Sequence, residues 1–368
     1  MPGDSVPFRE AVKRLLFAAI ALTAVAAIAD DIPAPKLGDR ADKAIQEGLP
    51  ICSETKGLKT SYVGLQHKLP VNLTGEVIRL ESERQSCAGQ WVAVTSREGG
   101  FFLGIPWFLE GVSGTPEQKL KAFGLTALQQ NLDPVVDKKT TREGFYNVTM
   151  YQTSEAGKVP MQGEIDPEGN VVFIGHFYPI SVDFRASRLK IFQPFIDNSP
   201  TTGAAKPAVT VIEFSDFECP SCQHAAAYMK PILQKYGDQV RYIRYDLPLT
   251  TIHPWAFAAA VAGRAIYRQK PEAFWEYKEQ VYATQEKLNA FTIDDFARGF
   301  AKDHELDLKK YDADVSSSDL KSAILTGAGT AFSNDVRATP TYMVNGAIVD
   351  PGTDGKYLES YVAGLLKK

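Results

Sequence analysis

Four residues, Cys219-Pro220-Ser221-Cys222, carry the most specific chemistry in the chain. Two cysteines at this spacing can close a small disulfide ring and open it again. The chemistry is thiol–disulfide exchange, in which a thiolate attacks a disulfide sulfur. It needs the first cysteine at a helix start. There its sulfur lies near free backbone N–H groups and the positive end of the helix dipole, so thiolate is favoured over thiol. Stabilising the reduced form makes the disulfide more oxidising. Pro220 suits the first helical position, whose N–H has no helical partner. Cys219 is expected to be exposed, and Cys222, one turn in, to be buried. The alternative is an inert disulfide, but so short a ring cross-links almost nothing and adds little stability.

The other two cysteines are Cys52 and Cys87. What they do depends on the compartment. Arg9, Lys13 and Arg14 form a positive start, residues 15–26 are apolar and uncharged, and Ala27-Ile28-Ala29 is a small-x-small cleavage pattern. Residues 1–29 therefore read as a signal peptide. The apolar stretch falls short of the roughly 20 residues that span a bilayer, and an uncleaved anchor is the alternative. Export to the periplasm or another extracytoplasmic space makes a structural Cys52–Cys87 disulfide the simplest reading, stabilising by about 4 kcal/mol in the chain-entropy model. A second redox pair that relays electrons is the other reading. Zinc would have to draw two cysteines from each half of the chain, and the 5 histidines show no ligand spacing. No metal or other cofactor is expected.

These residues need a scaffold. A chain of 368 residues with 44% apolar content can bury two cores. Its formal charge of -4 has no basic cluster, which argues against nucleic acid as a partner. Residues 30–48 read as a leader or linker. Residues 49–196 read as a smaller α+β domain. Thr115-Pro116-Glu117 opens a helix that runs to about residue 131. Strand-like runs follow at 145–152, 159–165 and 171–178, with a turn at Asp166-Pro167-Glu168-Gly169-Asn170. Trp91, Phe101, Phe102, Trp107 and Phe108 read as core, or else as an interface. Residues 197–204 read as a linker, and 205–368 as a second domain of α/β class. In it, residues 209–214 form an apolar run broken only by Glu213, as in a strand buried on both faces. The helix opened by the cysteines carries Met229, Ile232 and Tyr236 on one stripe, with a kink expected at Pro231. A strand over 240–245 and a helical stretch over 254–332 come next. A hairpin with Asn345-Gly346 at its turn and a last helix close the chain.

The segment Val211-Ile212-Glu213-Phe214-Ser215-Asp216-Phe217-Glu218-Cys219-Pro220-Ser221-Cys222 resembles the active-site segment of the DsbA-like thioredoxin-fold oxidoreductases, in the branch that includes the BdbD proteins. The likeness continues through His253-Pro254, Phe274-Trp275-Glu276-Tyr277 and Thr339-Pro340-Thr341, and covers roughly residues 205–368. Ala338 departs from it, where many relatives have Gly. The resemblance implies a thioredoxin fold with a helical insertion. It implies that Pro340 follows a cis peptide bond and lies against the dithiol. Thr339 would offer backbone bonds to an extended substrate, beside Pro220 and Ser221. Glu213 would be a buried acid beneath the pair, placed to exchange a proton with Cys222. His253 reads as a core or helix-start residue, and His224 as a neighbour that could tune the dithiol.

The implied function is disulfide formation in secreted proteins. The partners would be reduced or unfolded secreted proteins and a membrane redox protein that reoxidises the dithiol. Two alternatives stand beside it. One is a disulfide isomerase or reductase that forms a homodimer through the first domain, whose pattern is faintly cystatin-like. The other is a non-catalytic substrate-binding or chaperone module.

Overall fold

The structure, a computed structural model, describes residues 32–367 apart from 54–57 and 85–86. The expected signal peptide over 1–29 lies outside the described residues. Helix α1 (Asp39–Gly48) corrects the leader expected over 30–48. Ala41, Ala44, Ile45 and Gly48 recur at helical spacing and are all buried. Three of those four residues are small, so the apolar stripe hardly shows in the composition of a polar segment.

Five strands follow: β1 (Lys59–Gly64), β2 (Leu73–Glu81), β3 (Gly89–Ser96), β4 (Gly100–Gly104) and β5 (Pro106–Phe108). Helix α2 (Pro116–Ala127) opens on a capping box. The Thr115 hydroxyl accepts from the Gln118 N–H, and the Gln118 side chain accepts from the Thr115 N–H. Then come β6 (Leu132–Thr140), β7 (Tyr146–Ser154), β8 (Gly157–Ile165), β9 (Val171–Ile174) and β10 (Tyr178–Pro179). They make two antiparallel sheets, ordered β1-β2-β3-β4-β10 and β5-β9-β8-β7-β6. Alternation along each strand assigns side chains to layers. Trp91, Ala93, Phe101 and Leu103 face α1. Val92, Val94 and Phe102 turn the other way and meet Val171 and Phe173 of the second sheet. Val172, Met150 and Met161 face α2. The unit is thus helix, sheet, sheet, helix. This replaces the single sheet with one helix of the cystatin-like expectation. Strands β1 to β5 escaped that reading because both faces of their sheet are covered, so simple apolar–polar alternation is lost.

Helix α3 (Phe184–Ile196) bridges the two halves. Asp183 caps it by accepting from the Ala186 N–H at 2.8 Å. Phe184 at its start lies in the core under α1, and Phe192 at its end packs edge-on against Phe214 and Tyr245. The expected linker over 197–204 contains a short edge strand, β11 (Thr201–Gly203).

The second half runs β12 (Val209–Ser215), α4 (Pro220–Ala225), α5 (Met229–Tyr236), β13 (Val240–Asp246), the helical block α6 (Ala256–Gln269), α7 (Pro271–Thr284), α8 (Ile293–Asp303), α9 (Leu308–Ser316) and α10 (Ser318–Phe332), the hairpin β14 (Thr341–Val344) and β15 (Ala347–Val349), and α11 (Lys356–Leu366). The sheet order is β11-β13-β12-β14-β15, with β12 and β13 parallel and β14 antiparallel to β12. Helices α5 and α11 cover one face, and α3 and α10 the other. Asn345 and Gly346 both have positive φ at the hairpin turn, as the two-residue loop requires. Pro231 breaks the helix that begins at the cysteines. Its ring excludes the turn before it, and α4 and α5 separate there.

The first half is joined to this sheet at its edge. The Ile51 N–H donates to the Ile348 carbonyl at 2.8 Å, and the Asp350 N–H to the Ile51 carbonyl at 2.9 Å. Arg84 donates from Nε and Nη2 to the Asp350 carboxylate, each at 2.8 Å.

Candidate active site

Strand β12 delivers the dithiol. Its parallel pairing with β13 ends at Ser215, and the chain turns out over the carboxyl end of the sheet. Asp216 fixes the turn. Its Oδ1 accepts from the Glu218 N–H at 2.7 Å, and its Oδ2 accepts from the Leu249 N–H at 2.8 Å. Cys219 is the N-cap of α4, with Pro220 at the first helical position. The Cys222 and Gln223 N–H groups both donate to the Cys219 carbonyl. Gln285, from the turn after α7, donates to the carbonyls of Phe217 and Cys219 at 2.8 and 3.2 Å. Cys219 and Cys222 are free thiols.

The two sulfurs are not equivalent. Cys222 is wholly buried and Cys219 is 7% exposed. Exposure of Cys219 was expected to be larger. The loop before β14 covers it, and the thiol donates to the Thr339 carbonyl at 3.4 Å. Pro220 and Ser221 are exposed and form the rim. The thiol of Cys222 lies within hydrogen-bonding reach of Cys219, and this is the largest influence on Cys219. Burial opposes it. The Thr339 hydroxyl and the Cys222 N–H add to it, and Cys219 is lowered to about 6. The Thr339 hydroxyl is buried without a hydrogen-bond partner among the described residues. Ionisation of Cys219 gives it one. Burial pushes Cys222 well above the ordinary thiol range, and the neighbouring Cys219 adds to this. The Asp216 N–H donates to the Cys222 sulfur at 3.4 Å.

The Thr339–Pro340 peptide bond is cis. Glu213 is 1% exposed, and its Oε2 accepts from the Tyr242 hydroxyl. Oε1 has no hydrogen-bond partner among the described residues, and the carboxylate is close enough to act electrostatically on Cys222. Lys278 of α7 donates to the Tyr242 hydroxyl at 3.4 Å and to the Ala226 carbonyl at 3.3 Å. Burial holds its ammonium below the ordinary range. A hydrogen-bonded row from Lys278 through Tyr242 to Glu213 thus lies beneath the dithiol. Sequence reasoning found Glu213 but not Lys278 or Tyr242. Lys is read as exposed by default, and nothing in the periodicity of α7 distinguishes Lys278.

His253 lies closer to the chemistry than its expected core role suggested. Its Nδ1 is 2.8 Å from Asp216 Oδ2. Burial pulls it down, but the bond to Asp216 and the charges of Asp216 and Cys219 leave it raised above the ordinary imidazole value. His224 is exposed, with Nε2 3.3 Å from the Thr353 carbonyl. Cys52 and Cys87 form a disulfide, with Cα atoms 5.7 Å apart.

The family model described as thioredoxin matches residues 196–362. The chain is 35% identical over 150 residues to a Na(+)/H(+) antiporter, NhaA 3, of Salinispora tropica, a match that covers 41% of this chain and 22% of that protein. It is 28% identical over 150 residues to a probable disulfide bond formation protein D of Bacillus cereus, covering 40% of this chain and 69% of that one. The chain thus spans about a fifth of the antiporter's length and about two thirds of the other relative's. Oxidised BdbD from Bacillus subtilis aligns at 22% identity with a TM-score of 0.42, over 47% of this chain and 95% of that one. No helix among the described residues is long and apolar enough to cross a membrane. Residues 196–362 of this chain thus match the thioredoxin family model, behind a two-sheet N-terminal unit.

Proposed function

We propose that the protein is an exported thiol–disulfide oxidoreductase that forms disulfides in secreted proteins, with Cys219 as the attacked sulfur. One observation carries the reading. A cysteine at a helix N-cap is lowered to about 6 while its partner, three residues on, is buried and raised. In the oxidised protein a substrate thiolate attacks Cys219 Sγ. The Cys219–Cys222 bond breaks and the substrate–Cys219 bond forms. The electron pair goes to Cys222, which takes up a proton because its thiolate is unfavourable in this buried site. Glu213, with Oε1 unpartnered among the described residues, lies beneath the pair, placed to exchange a proton with Cys222. A second substrate thiolate attacks the substrate sulfur of the mixed disulfide. The substrate disulfide forms and Cys219 leaves as a thiolate, which its low pKa favours. Two electrons have moved to the dithiol. A membrane redox partner takes them, and the signal-peptide pattern over residues 1–29 supports export. Thr339 and Pro340, with Pro220 and Ser221 on the rim, receive the extended substrate.

The assignment is tested by trapping. Cys222→Ala removes the internal thiol that displaces substrate, so mixed disulfides should accumulate in the exported fraction on a non-reducing gel. Cys219→Ala should give none. Adducts on Cys219→Ala alone would reverse the roles of the two cysteines.

A further inference from the structure

The segment between α10 and the cis peptide bond is held from outside its own domain. Four hydrogen bonds and one cation–π contact tie residues 333–337 to the N-terminal unit. The Gln162 N–H on β8 donates to the Ser333 hydroxyl at 2.7 Å. The Tyr178 hydroxyl on β10 donates to Asn334 Oδ1 at 2.9 Å. The Trp91 indole N–H on β3 donates to Asp335 Oδ2 at 2.7 Å. Arg337 donates to the Gln90 carbonyl at 3.4 Å and lies 5.0 Å over the Trp91 ring. Arg337 and Asp335 also form an ion pair. Asp335 sits at a φ of 66°, in the left-handed region that residues other than glycine rarely occupy. That conformation persists only where surrounding contacts hold it.

We infer that Trp91 is a positioning residue for disulfide exchange: its indole N–H anchors Asp335 and its ring carries Arg337, so the N-terminal unit sets the loop that places Thr339 against Cys219. Arg337 and Thr339 are two residues apart, so a shift at Asp335 and Arg337 is passed to Thr339 with little slack. The Thr339 hydroxyl is what a Cys219 thiolate gains as a donor, and the Thr339 backbone is what an extended substrate would pair with. One aromatic residue of the first domain therefore acts on the acidity of Cys219 and on substrate binding together. This rests on the activity proposed above. It adds a task for the N-terminal unit that needs neither dimerisation nor a second redox pair.

The test is Trp91→Phe in the full chain. It keeps a ring for Arg337 and deletes the donor to Asp335. The Cys219 thiolate is titrated by absorbance at 240 nm in the reduced protein, and oxidation of a reduced dithiol peptide is followed at steady state with glutathione disulfide as the terminal oxidant. The titration midpoint is expected to rise by about half a unit, as one of several hydrogen bonds to the thiolate weakens. KM is expected to rise about tenfold with kcat nearly unchanged, the size of one charge-assisted hydrogen bond. Asp335→Asn tolerates the left-handed backbone and removes the ion pair. It should move both readouts in the same direction by less, and it carries the test if Trp91→Phe folds poorly. A lower melting temperature with midpoint and KM unchanged would overturn the inference, leaving Trp91 a packing residue. A wild-type protein that leaves the peptide reduced would sink the proposed activity instead. The titration needs no substrate and would still decide on Trp91.

Discussion

At the scale of single residues, the account turns on one low and one high thiol. Cys219 is lowered to about 6, first by the Cys222 thiol beside it. The same sulfur in an unfolded chain titrates at about 8.5. A depressed acid stabilises the folded reduced protein above the unfolded value and loses that contribution as pH falls through the folded one. The reduced form should therefore keep this stabilisation at pH 9 and shed it between about pH 8 and 5, relative to the oxidised form. Absorbance at 240 nm should show a thiolate with a midpoint near 6, absent from Cys219→Ala. A single transition above pH 8 would contradict the activation described for this site. The placement of Cys219 at a helix start was legible in its own motif, whereas the cis bond before Pro340 and the burial of Glu213 followed from the resemblance. Lys278, Tyr242 and Trp91 were not legible as site residues. They come from separate elements, and only the fold brings them to the dithiol or to the loop that covers it.

At the scale of elements, close approach decides what is tolerated. Helix α10 packs on β8 at Gly329, where an added Cβ would lie 2.0 Å from the Pro160 carbonyl oxygen. The obstacle is backbone and cannot swing aside. Ala is the better helix former by up to about 1 kcal/mol, but forcing the two elements apart costs about 1–3 kcal/mol. Gly329→Ala should thus destabilise the protein, read as a lower urea midpoint, and a higher midpoint would show that α10 and β8 separate easily. Strands β12 and β13, the Asn345-Gly346 hairpin and the capped helix α2 were legible because local pattern and tertiary burial agree in them. Helix α1 and strands β1 to β5 were not. In α1 the buried stripe is built mainly of Ala and Gly, and in the first sheet both faces are covered. Helix α3 was missed for another reason. It serves two cores, with Phe184 in one and Phe192 in the other.

At the scale of the molecule, one cysteine pair is closed and the other open. Cys52 and Cys87, with a sequence separation of 35, close a loop next to the contacts that join the halves, including Arg84 with Asp350. Closing that loop stabilises the chain by about 4 kcal/mol in the entropy model, so this bridge should resist mild reductant. Mass mapping of alkylated peptides should find Cys219 and Cys222 labelled first, and joint opening of both pairs would favour an electron relay. The central claim is that the Cys219–Cys222 couple acts as an oxidant, because its reduced form is stabilised at Cys219. Its reduction potential, measured against a glutathione buffer series, tests that claim most directly. The account predicts a value above about −180 mV, in the range of strong dithiol oxidants; a value at or below about −270 mV, that of a dedicated reductant, would contradict it.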